Sequence, residues 1–412
     1  MVNNYQVLNR RNLATISFVV GVPLGASNEK LNGATKLMFS QILQNSTKID
    51  GYNIFSYMDK YGIRPFASIK KTYSFIGMNT PPKNIEKATK LFELLLLEPS
   101  FNNVNIKKFT KKQQAELQQL SQAPHERLQN ITRWKAAFGD SNITKTPNGS
   151  VDDLQQITVE EIEKNYEEFK DHKPVFSAIG INNNESYYTE IIDRLSEFGS
   201  KEFSTELRND QVNRYNTEIE QNRETGGNSY LGVNCETFGH DANSEADWLY
   251  SNLLSGGNAT RLLSVLRNKY NLSYSSYSII SRQRDFGLFT TIADVTPEHN
   301  TKVLELILNI LQSTLTEKIE DDELERAIKL AQKSIVSVTD SSIQYTEYLI
   351  SRLINNLETD FSVRKKQVEE AAASDWQEML LKYFTKDNFT LAVTGDPGNI
   401  ENHWQEILER VL

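Results

Sequence analysis

The sequence predicts an α+β protein made of two similar halves. At 412 residues, the chain is longer than one hydrophobic core usually supports. The order strand, helix, helix, two strands, long helices, strand, helix occurs twice along it. Residues 201–228, between the two runs, are polar and lack apolar periodicity, which is typical of a linker. We therefore predict an N-terminal half at 1–200, a linker at 201–228 and a C-terminal half at 229–412.

The first half opens on the apolar, β-branched run ATISFVVGV at 14–22, which is typical of a buried strand. Apolar residues at helical spacing then predict helices, with Gly62 and Pro99 as stops. The further predicted elements are helices 32–44, 53–62 and 84–97, a hairpin across Lys70–Lys71, a long Gln/Lys-rich stretch from about 104 to 136 with a break at Pro124, helix 159–169, strand 174–181 and helix 185–197.

The second half repeats this order. Its predicted elements are strand 230–238, helices 244–254 and 260–270, hairpin strands 272–280 and 286–295, long helices 297–317 and 320–355, helix 373–384, strand 389–395 and a last helix. The strands PVFSAIGI and FTLAVTG occupy matching places in the two halves. An internal duplication with a period near 200 residues is the simplest account, although element order alone also fits two unrelated α+β domains.

Composition excludes several classes of protein. The net charge of −9 opposes non-specific binding to nucleic acid or to anionic lipid. The single cysteine, Cys235, permits neither an intrachain disulfide nor a cysteine-based zinc site. The sequence contains no apolar signal region and no apolar run long enough to span a bilayer, so we expect a soluble cytoplasmic protein without membrane contact.

The histidines exclude the usual metal motifs. No two of the five histidines lie within five positions of each other, so neither HExxH nor HxxEH is present. No GxSxG elbow, Walker loop or Rossmann glycine pattern appears. The glycines of SGGNATR precede a helix and could hold an anion, but they also fit an ordinary turn. We therefore expect no metal and no cofactor in this chain.

The phrase NGATKLMFSQILQNST resembles the zinc-binding helix of the pitrilysin (insulinase-like) peptidases, which begins like GxAHFLEHMxFKGT. Gly33, Ala34 and Ser46–Thr47 match that pattern. By the same alignment, Lys36 stands at the first histidine, Phe39 at the general-base glutamate and Ser40 at the second histidine.

The substitutions in this motif remove the zinc chemistry. An ammonium group is a poor zinc ligand, a phenyl ring cannot take a proton, and a neutral hydroxyl is a weak ligand. The family's third ligand is a glutamate about 75 residues further on, which corresponds here to Glu116. One carboxylate cannot hold zinc, so Glu116 is either a relic or a surface helix residue, and we favour the surface residue.

The second half matches the family more fully. GGNATRLLSVLRNKYNLSYSSYS resembles GGGxSSRLFxxLRExxGLAYSVxS, the stretch that holds the family's substrate-clamping Arg/Tyr pair. The resemblance assigns this pair to Arg267 and Tyr274, whose N–H and O–H groups can donate to a scissile carbonyl and to the oxyanion that develops there. Alternatively, Arg267 only solvates a helix end and Tyr274 is an ordinary strand residue.

The resemblance covers nearly the whole chain and implies a function. Some family members are heterodimers in which one subunit has the zinc motif and the other has the Arg/Tyr pair. This chain resembles the second kind, as found beside bacterial peptidases that process leader peptides or clear signal peptides. We expect a substrate-binding subunit that is inactive alone and needs an HxxEH-bearing partner, which holds the zinc. A stand-alone peptide-binding protein and a structural scaffold are the alternatives.

The resemblance also implies an architecture. Each half is expected to form a mostly antiparallel sheet with helices packed on one face, and the halves are expected to open like a clam shell. Family members bind an extended peptide as an added strand at a sheet edge. The candidate edge in this chain is the hairpin region 286–295, which includes Thr291.

Overall fold

The computed structural model describes residues 5–44, 48–202, 216–221, 227–240 and 244–412. Within these ranges the chain forms two compact units, and each unit is discontinuous in sequence. Unit 1 comprises the described residues of Met1–Gln118, Lys145–Leu207 and Ser337–Thr359, and unit 2 comprises those of Gln119–Thr144, Arg208–Val336 and Asp360–Leu412. Each half of the sequence thus passes one segment to the other unit, so the limits of the units differ from the predicted boundaries at 200 and 229.

The strands are β1 (Tyr5–Asn9), β2 (Ile16–Val22), β3 (Lys48–Ile49), β4 (Tyr52–Asn53), β5 (Arg64–Ile69), β6 (Ser74–Thr80), β7 (Val175–Gly180), β8 (Thr217–Gln221), β9 (Ser229–Thr237), β10 (Ser276–Arg282), β11 (Gly287–Val295) and β12 (Phe389–Gly395).

The α-helices are α1 (Ala34–Leu43), α2 (Ile54–Tyr61), α3 (Ile85–Leu97), α4 (Asn103–Ser121), α5 (Pro124–Arg127), α6 (Arg133–Phe138), α7 (Val151–Gln156), α8 (Val159–Asp171), α9 (Thr189–Leu195), α10 (Ser244–Ser255), α11 (Asn300–Thr316), α12 (Asp321–Ser337), α13 (Ser342–Ile354), α14 (Phe361–Ala372), α15 (Trp376–Leu381) and α16 (Trp404–Val411). Two segments are π-helical, Leu128–Thr132 and Leu263–Lys269.

Each unit contains one five-stranded sheet, and the two sheets share a strand order. The sheet of unit 1 runs β1-β7-β2-β6-β5, and that of unit 2, read from its other edge, runs β8-β12-β9-β11-β10. Numbered within its own half, each sheet therefore has the order first, fifth, second, fourth, third. The first and fifth strands are parallel and the other pairs antiparallel, which confirms the mostly antiparallel sheets. The identical order favours internal duplication over two unrelated domains.

The sequence analysis did not predict the two short edge strands, β1 and β8. Strand β8 lies within the predicted linker and pairs in parallel with β12. Its sequence TEIEQ has one apolar residue, Ile219, so the alternation that marks a strand is too weak to detect. The flanking linker residues 203–215 and 222–226 lie outside the described part of the chain.

The predicted helix 320–355 is wrong, because the chain breaks it between α12 and α13. The side chain of Ser341 caps α13 by accepting a hydrogen bond from the Gln344 N–H at 3.4 Å. Serine caps a helix start better than it fills a helix interior, since its hydroxyl bonds the backbone locally. Among the described residues, no helix has the combined length and hydropathy that crossing a bilayer requires.

Each sheet is covered on both faces. In β2, Phe18 packs edge-on against Phe92 of α3, with ring centroids 5.2 Å apart, in the main core of unit 1. The next residue, Val19, points to the opposite face and clusters with Ile350 and Ile354 of α13. The expected layer of helices on one face is present, and the segment received from the other half covers the second face. This is why ISFVVGV reads as continuously apolar although its sheet is antiparallel.

Unit 2 repeats this arrangement. Leu391 and Val393 of β12 face the main core of unit 2, whereas Ala392 between them clusters with Leu128 of the received segment 119–144. In unit 1, a buried polar network also fixes α13. Asn79 Nδ2 donates to Ser342 Oγ at 3.0 Å, and Ser17 Oγ donates to the same oxygen at 2.8 Å. Hydrogen-bonded polar groups of this kind specify where a helix docks on an otherwise apolar face.

Helix α1 begins at a buried carboxylate. Glu29 accepts hydrogen bonds from the Gly33 N–H at 2.5 Å and from the Thr35 N–H at 2.9 Å, which satisfies two donors of the first helical turn. Gly33 has φ 101°, a left-handed conformation that glycine adopts without strain. Burial raises the pKa of the Glu29 carboxyl to about 7, although these hydrogen bonds act in the opposite direction.

Residues 1–200 produced alone should not fold cooperatively, because the face bearing Val19, Phe75 and Val175 loses its cover. A peptide of residues 337–359 should restore a cooperative thermal transition and reduce dye binding to exposed apolar surface. The same peptide with Ile350→Asp and Ile354→Asp is the matched control and should restore neither. A cooperative transition of residues 1–200 without any peptide would contradict this account of the second face.

The stabilising effect of protonating Glu29 should be measurable. Because its folded pKa lies above its unfolded value, the folded state binds the extra proton, and stability falls as pH rises from about 4.5 to about 7. A shift of this size corresponds to about 3 kcal/mol. Subtracting the pH profile of Glu29→Gln from that of the unsubstituted protein, both by chemical denaturation, should isolate this change. Parallel profiles would show that Glu29 titrates normally.

Candidate functional site

The fold brings Arg267 and Tyr274 into contact. Arg267 lies near the end of the π-helical segment Leu263–Lys269, and its guanidinium carbon sits 4.7 Å from the centroid of the Tyr274 ring. Both side chains are exposed, Tyr274 by 76%. A cation over an aromatic face at an exposed site contributes about 0.5–1 kcal/mol. The two side chains therefore form a weak contact on an exposed surface.

A tight reversal after the π-helical segment makes this contact possible. The N–H groups of Tyr270 and Leu272 donate back to Val265 O at 3.1 Å and to Leu266 O at 2.8 Å. Asn271 between them adopts φ 52°, the left-handed conformation that commonly ends a helix. The chain thus folds back over the last helical turn and returns Tyr274 to Arg267. Single-turn π segments are frequent at functional sites.

Asp294 of β11 fixes the backbone on both sides of Tyr274. Its carboxylate Oδ1 accepts hydrogen bonds from the Ser275 N–H at 2.7 Å and from Ser273 Oγ at 3.0 Å. Its own N–H donates to Ser275 O at 3.1 Å. Tyr274 thus has a restrained backbone and an exposed ring, and it precedes β10 rather than lying in a strand. No sequence signal marked Asp294, because its partners become neighbours only through the β10–β11 register.

In the degenerate metal motif, the positive charge that faces Glu116 is the ammonium group of Lys36. Lys36 Nζ donates to Glu116 Oε2 at 2.5 Å and to Asn148 Oδ1 at 2.5 Å. Glu116, for which the sequence favours a surface helix residue over a relic, is partly exposed and pairs with the residue at the first histidine position. A partly exposed ion pair of this kind contributes about 0–1 kcal/mol, so its effect is to neutralise the carboxylate.

The other two motif positions carry a phenyl ring and a hydroxyl group. Phe39 is 2% exposed and packs edge-on against Phe169, with ring centroids 5.7 Å apart, so the general-base position has become core. Ser40 is half-buried on α1, one turn after Lys36. Across the described ranges, no group of three or more His, Cys, Asp or Glu side chains could hold a metal ion. Ser46–Thr47, which close the motif, lie outside these ranges.

The predicted strand-addition edge at 286–295 is wrong. Strand β11 lies between β10 and β9, both of its sides are paired, and Thr291 is fully buried. The outer strand β10 is covered instead, since the Ser278 N–H donates to Ser255 Oγ of α10 at 2.8 Å. The hairpin was identified correctly, but the sequence does not say which of its strands is outermost.

The corresponding strand of unit 1, β5, has a more open edge. The Lys70 N–H donates to Tyr73 O at 2.8 Å. Alternation along an antiparallel pair then directs the backbone groups of Ala67 and Ile69 away from β6. Pro65 lies in the same strand and has no N–H, as is usual at a sheet edge.

Comparisons with known proteins agree with these observations. Residues 156–330, a stretch that contains Arg267 and Tyr274, match the family described as "Peptidase M16 inactive domain". The zinc protease YmxG of Bacillus subtilis is 19% identical over 345 residues, which cover 82% of this chain and 83% of that protein. A second zinc protease, from Streptomyces coelicolor, is 36% identical over 83 residues, which span 20% of this chain and only 18% of the relative's length.

Solved structures share the fold at low identity. The peptidase M16 inactive domain from Pseudomonas fluorescens matches with a TM-score of 0.80 and 16% identity over 95% of each chain. A protease from Helicobacter pylori gives 0.78 and 17% over 96% of this chain and 98% of that one. A chain of complex III2 from Candida albicans gives 0.82 and 13% over 98% and 97%. The family match over residues 156–330, the zinc protease relatives and the shared fold support the resemblance to the pitrilysin peptidases, as a non-catalytic member.

Proposed function

We propose that this chain is the substrate-binding subunit of a heterodimeric zinc endopeptidase that processes or degrades peptides, with leader and signal peptides as candidate substrates. One contrast supports the proposal. Arg267 and Tyr274 are assembled and exposed, whereas Lys36 occupies the first metal-ligand position and neutralises Glu116. Loss of one set of groups with retention of the other fits a chain that complements an HxxEH-bearing partner.

In this proposal, Arg267 and Tyr274 bind the scissile carbonyl of an extended peptide. The guanidinium and the phenol hydroxyl donate hydrogen bonds to the carbonyl oxygen, and these bonds strengthen as negative charge develops there. The bound peptide covers both groups and excludes water, which raises the energy of each charge-assisted hydrogen bond. Zinc held by the partner supplies the activated water.

Unit 1, taken by itself, has a sheet edge at which an extended peptide can pair. Strand β5 offers the N–H and C=O groups of Ala67 and Ile69 on its open side, where an extended peptide can pair as a sixth strand. Main-chain pairing gives affinity with little selectivity for side chains. We propose β5 as this edge in place of the hairpin region 286–295.

The purified, dialysed chain is expected to hold no stoichiometric zinc by elemental analysis, because positions 36, 39 and 40 supply no imidazole. The double variant Lys36→His/Ser40→His is expected to bind one zinc, because residues 36 and 40 lie one turn apart and Glu116 already contacts position 36. Adding Glu116→Gln should abolish that binding. One tightly held zinc in the unsubstituted chain would contradict the assignment.

Peptidase activity is expected only when the chain is mixed with its zinc-bearing partner. In that mixture, Arg267→Ala and Tyr274→Phe should each lower turnover about a hundredfold, since one oxyanion donor is typically worth about 3 kcal/mol. The measurement is the single-turnover rate on a fluorogenic peptide, with the complex verified by size-exclusion chromatography.

The matched controls are Lys269→Ala and Tyr270→Phe. These residues form a neighbouring exposed cation–aromatic pair, 5.1 Å apart, and should leave turnover unchanged. Ser40→Ala should affect stability at most. A silent Tyr274→Phe together with an inactive Ser40→Ala would reverse the proposed roles. Peptide binding without any partner-dependent cleavage would favour a stand-alone binding protein.

A further inference from the structure

An apolar cavity of about 400 Å³ opens in unit 2, between the end of α10, the Gly256–Gly257 turn and α12. Its volume lies in the range of small-ligand pockets, about 300–1,000 Å³. The residues that line it and matter here are Leu253, Gly257, Ala259, Thr260, Ala327 and Leu330. None of them belongs to the Arg267–Tyr274 contact.

Gly257, which has no side chain, lies at the wall of the cavity. A Cβ built at this residue would touch only Leu330, at 3.4 and 3.7 Å from its two methyl carbons, which is ordinary contact. Leu253 and Ala327 form a buried apolar floor. Thr260 Oγ1 donates to Gly257 O at 2.6 Å and so holds the turn open above that floor. A larger residue at 257 would therefore occupy the space.

The charged residues at the rim are paired among themselves. Glu323 accepts two hydrogen bonds from Arg261, at 2.6 and 2.8 Å. Lys329 pairs with Glu325 at 2.5 Å, and Arg326 pairs with Asp322. The rim offers no net charge to a ligand, so it does not favour an anion at the SGGNATR turn. A neutral, apolar occupant fits both the floor and the rim.

The cavity and the Arg267–Tyr274 contact lie along one helical segment. Thr260 and Arg267 are seven positions apart, and residues 261–269 are helical and mostly π-helical, so at most about 10 Å of helix axis separates them. An extended peptide advances about 3.3 Å per residue and covers that distance in about three residues.

We infer that this cavity binds one apolar side chain of the peptide substrate, about three residues from the carbonyl that Arg267 and Tyr274 hold. The inference rests on the proposed function and adds a substrate class to it: peptides with a Leu- or Phe-sized residue at one fixed distance from the clamped carbonyl. Burial of such a side chain strengthens binding on the order of tenfold or more over serine.

The test is a fluorescence-anisotropy titration of the full chain with labelled extended peptides that differ at one position, scanned along the sequence as Ser, Leu, Phe or Trp. One position should prefer Leu or Phe over Ser by about tenfold. Gly257→Leu should erase this preference by filling the cavity, and Leu330→Ala should shift it towards Trp by enlarging the cavity. Lys302→Ala, an exposed change on α11 outside the cavity, is the control and should change nothing.

The outcomes separate the inference from the proposed function. If Arg267→Ala weakens all peptides alike while Gly257→Leu keeps the preference, the cavity assignment is overturned and the proposed function stands. If no peptide binds, the proposed function is wrong, and the inference that rests on it is wrong as well. If Gly257→Leu leaves peptide preference intact but blocks assembly with the partner, the cavity holds a partner side chain and the inference is overturned.

Discussion

Burial of both faces of each sheet is the constraint on which the rest of this structure depends. The central strands carry apolar residues on both sides, as Phe18 and Val19 of β2 show, so each sheet needs two covering layers. One layer comes from the helices of the same half. The other is a segment received from the opposite half, 337–359 in unit 1 and 119–144 in unit 2. Burial at about 25 cal/mol per Å² of apolar surface makes an uncovered face too costly to leave in water.

The candidate site residues of the two units are held in place in different ways. In unit 1, the degenerate motif lies on α1, whose first turn is fixed by the buried Glu29 carboxylate. In unit 2, the Arg267–Tyr274 contact depends on a π-helical segment and on the backbone bonds that Asp294 makes. The first site presents the Lys36–Glu116 ion pair and the buried Phe39 ring. The second presents two exposed side chains on a restrained backbone.

The sequence predicted the fold class, the repeated element order and the residues that meet at Arg267 and Tyr274, because these depend on local patterns. Burial periodicity is local, and so is the phrase that carries the pair. The sequence could not predict the exchange of segments between units, since a helix that packs on a distant sheet looks like any amphipathic helix. Strand β8 was not predicted because it has too few apolar residues. The predicted edge at 286–295 was wrong because strand order is a property of the whole sheet.

The Lys36–Glu116 pair also stabilises the degenerate motif without a bound cation. Removing a cation from a site normally leaves its carboxylate uncompensated, which is costly where the group is partly buried. Here the Lys36 ammonium takes over the contact to Glu116 and also satisfies Asn148 Oδ1, so α1 and α4 retain a charged link between them. Phe39 adds apolar packing where a catalytic carboxylate would have had to be kept hydrated. The side chains at positions 36 and 39 therefore each make a stabilising contact of their own, an ion pair at Lys36 and an aromatic contact at Phe39.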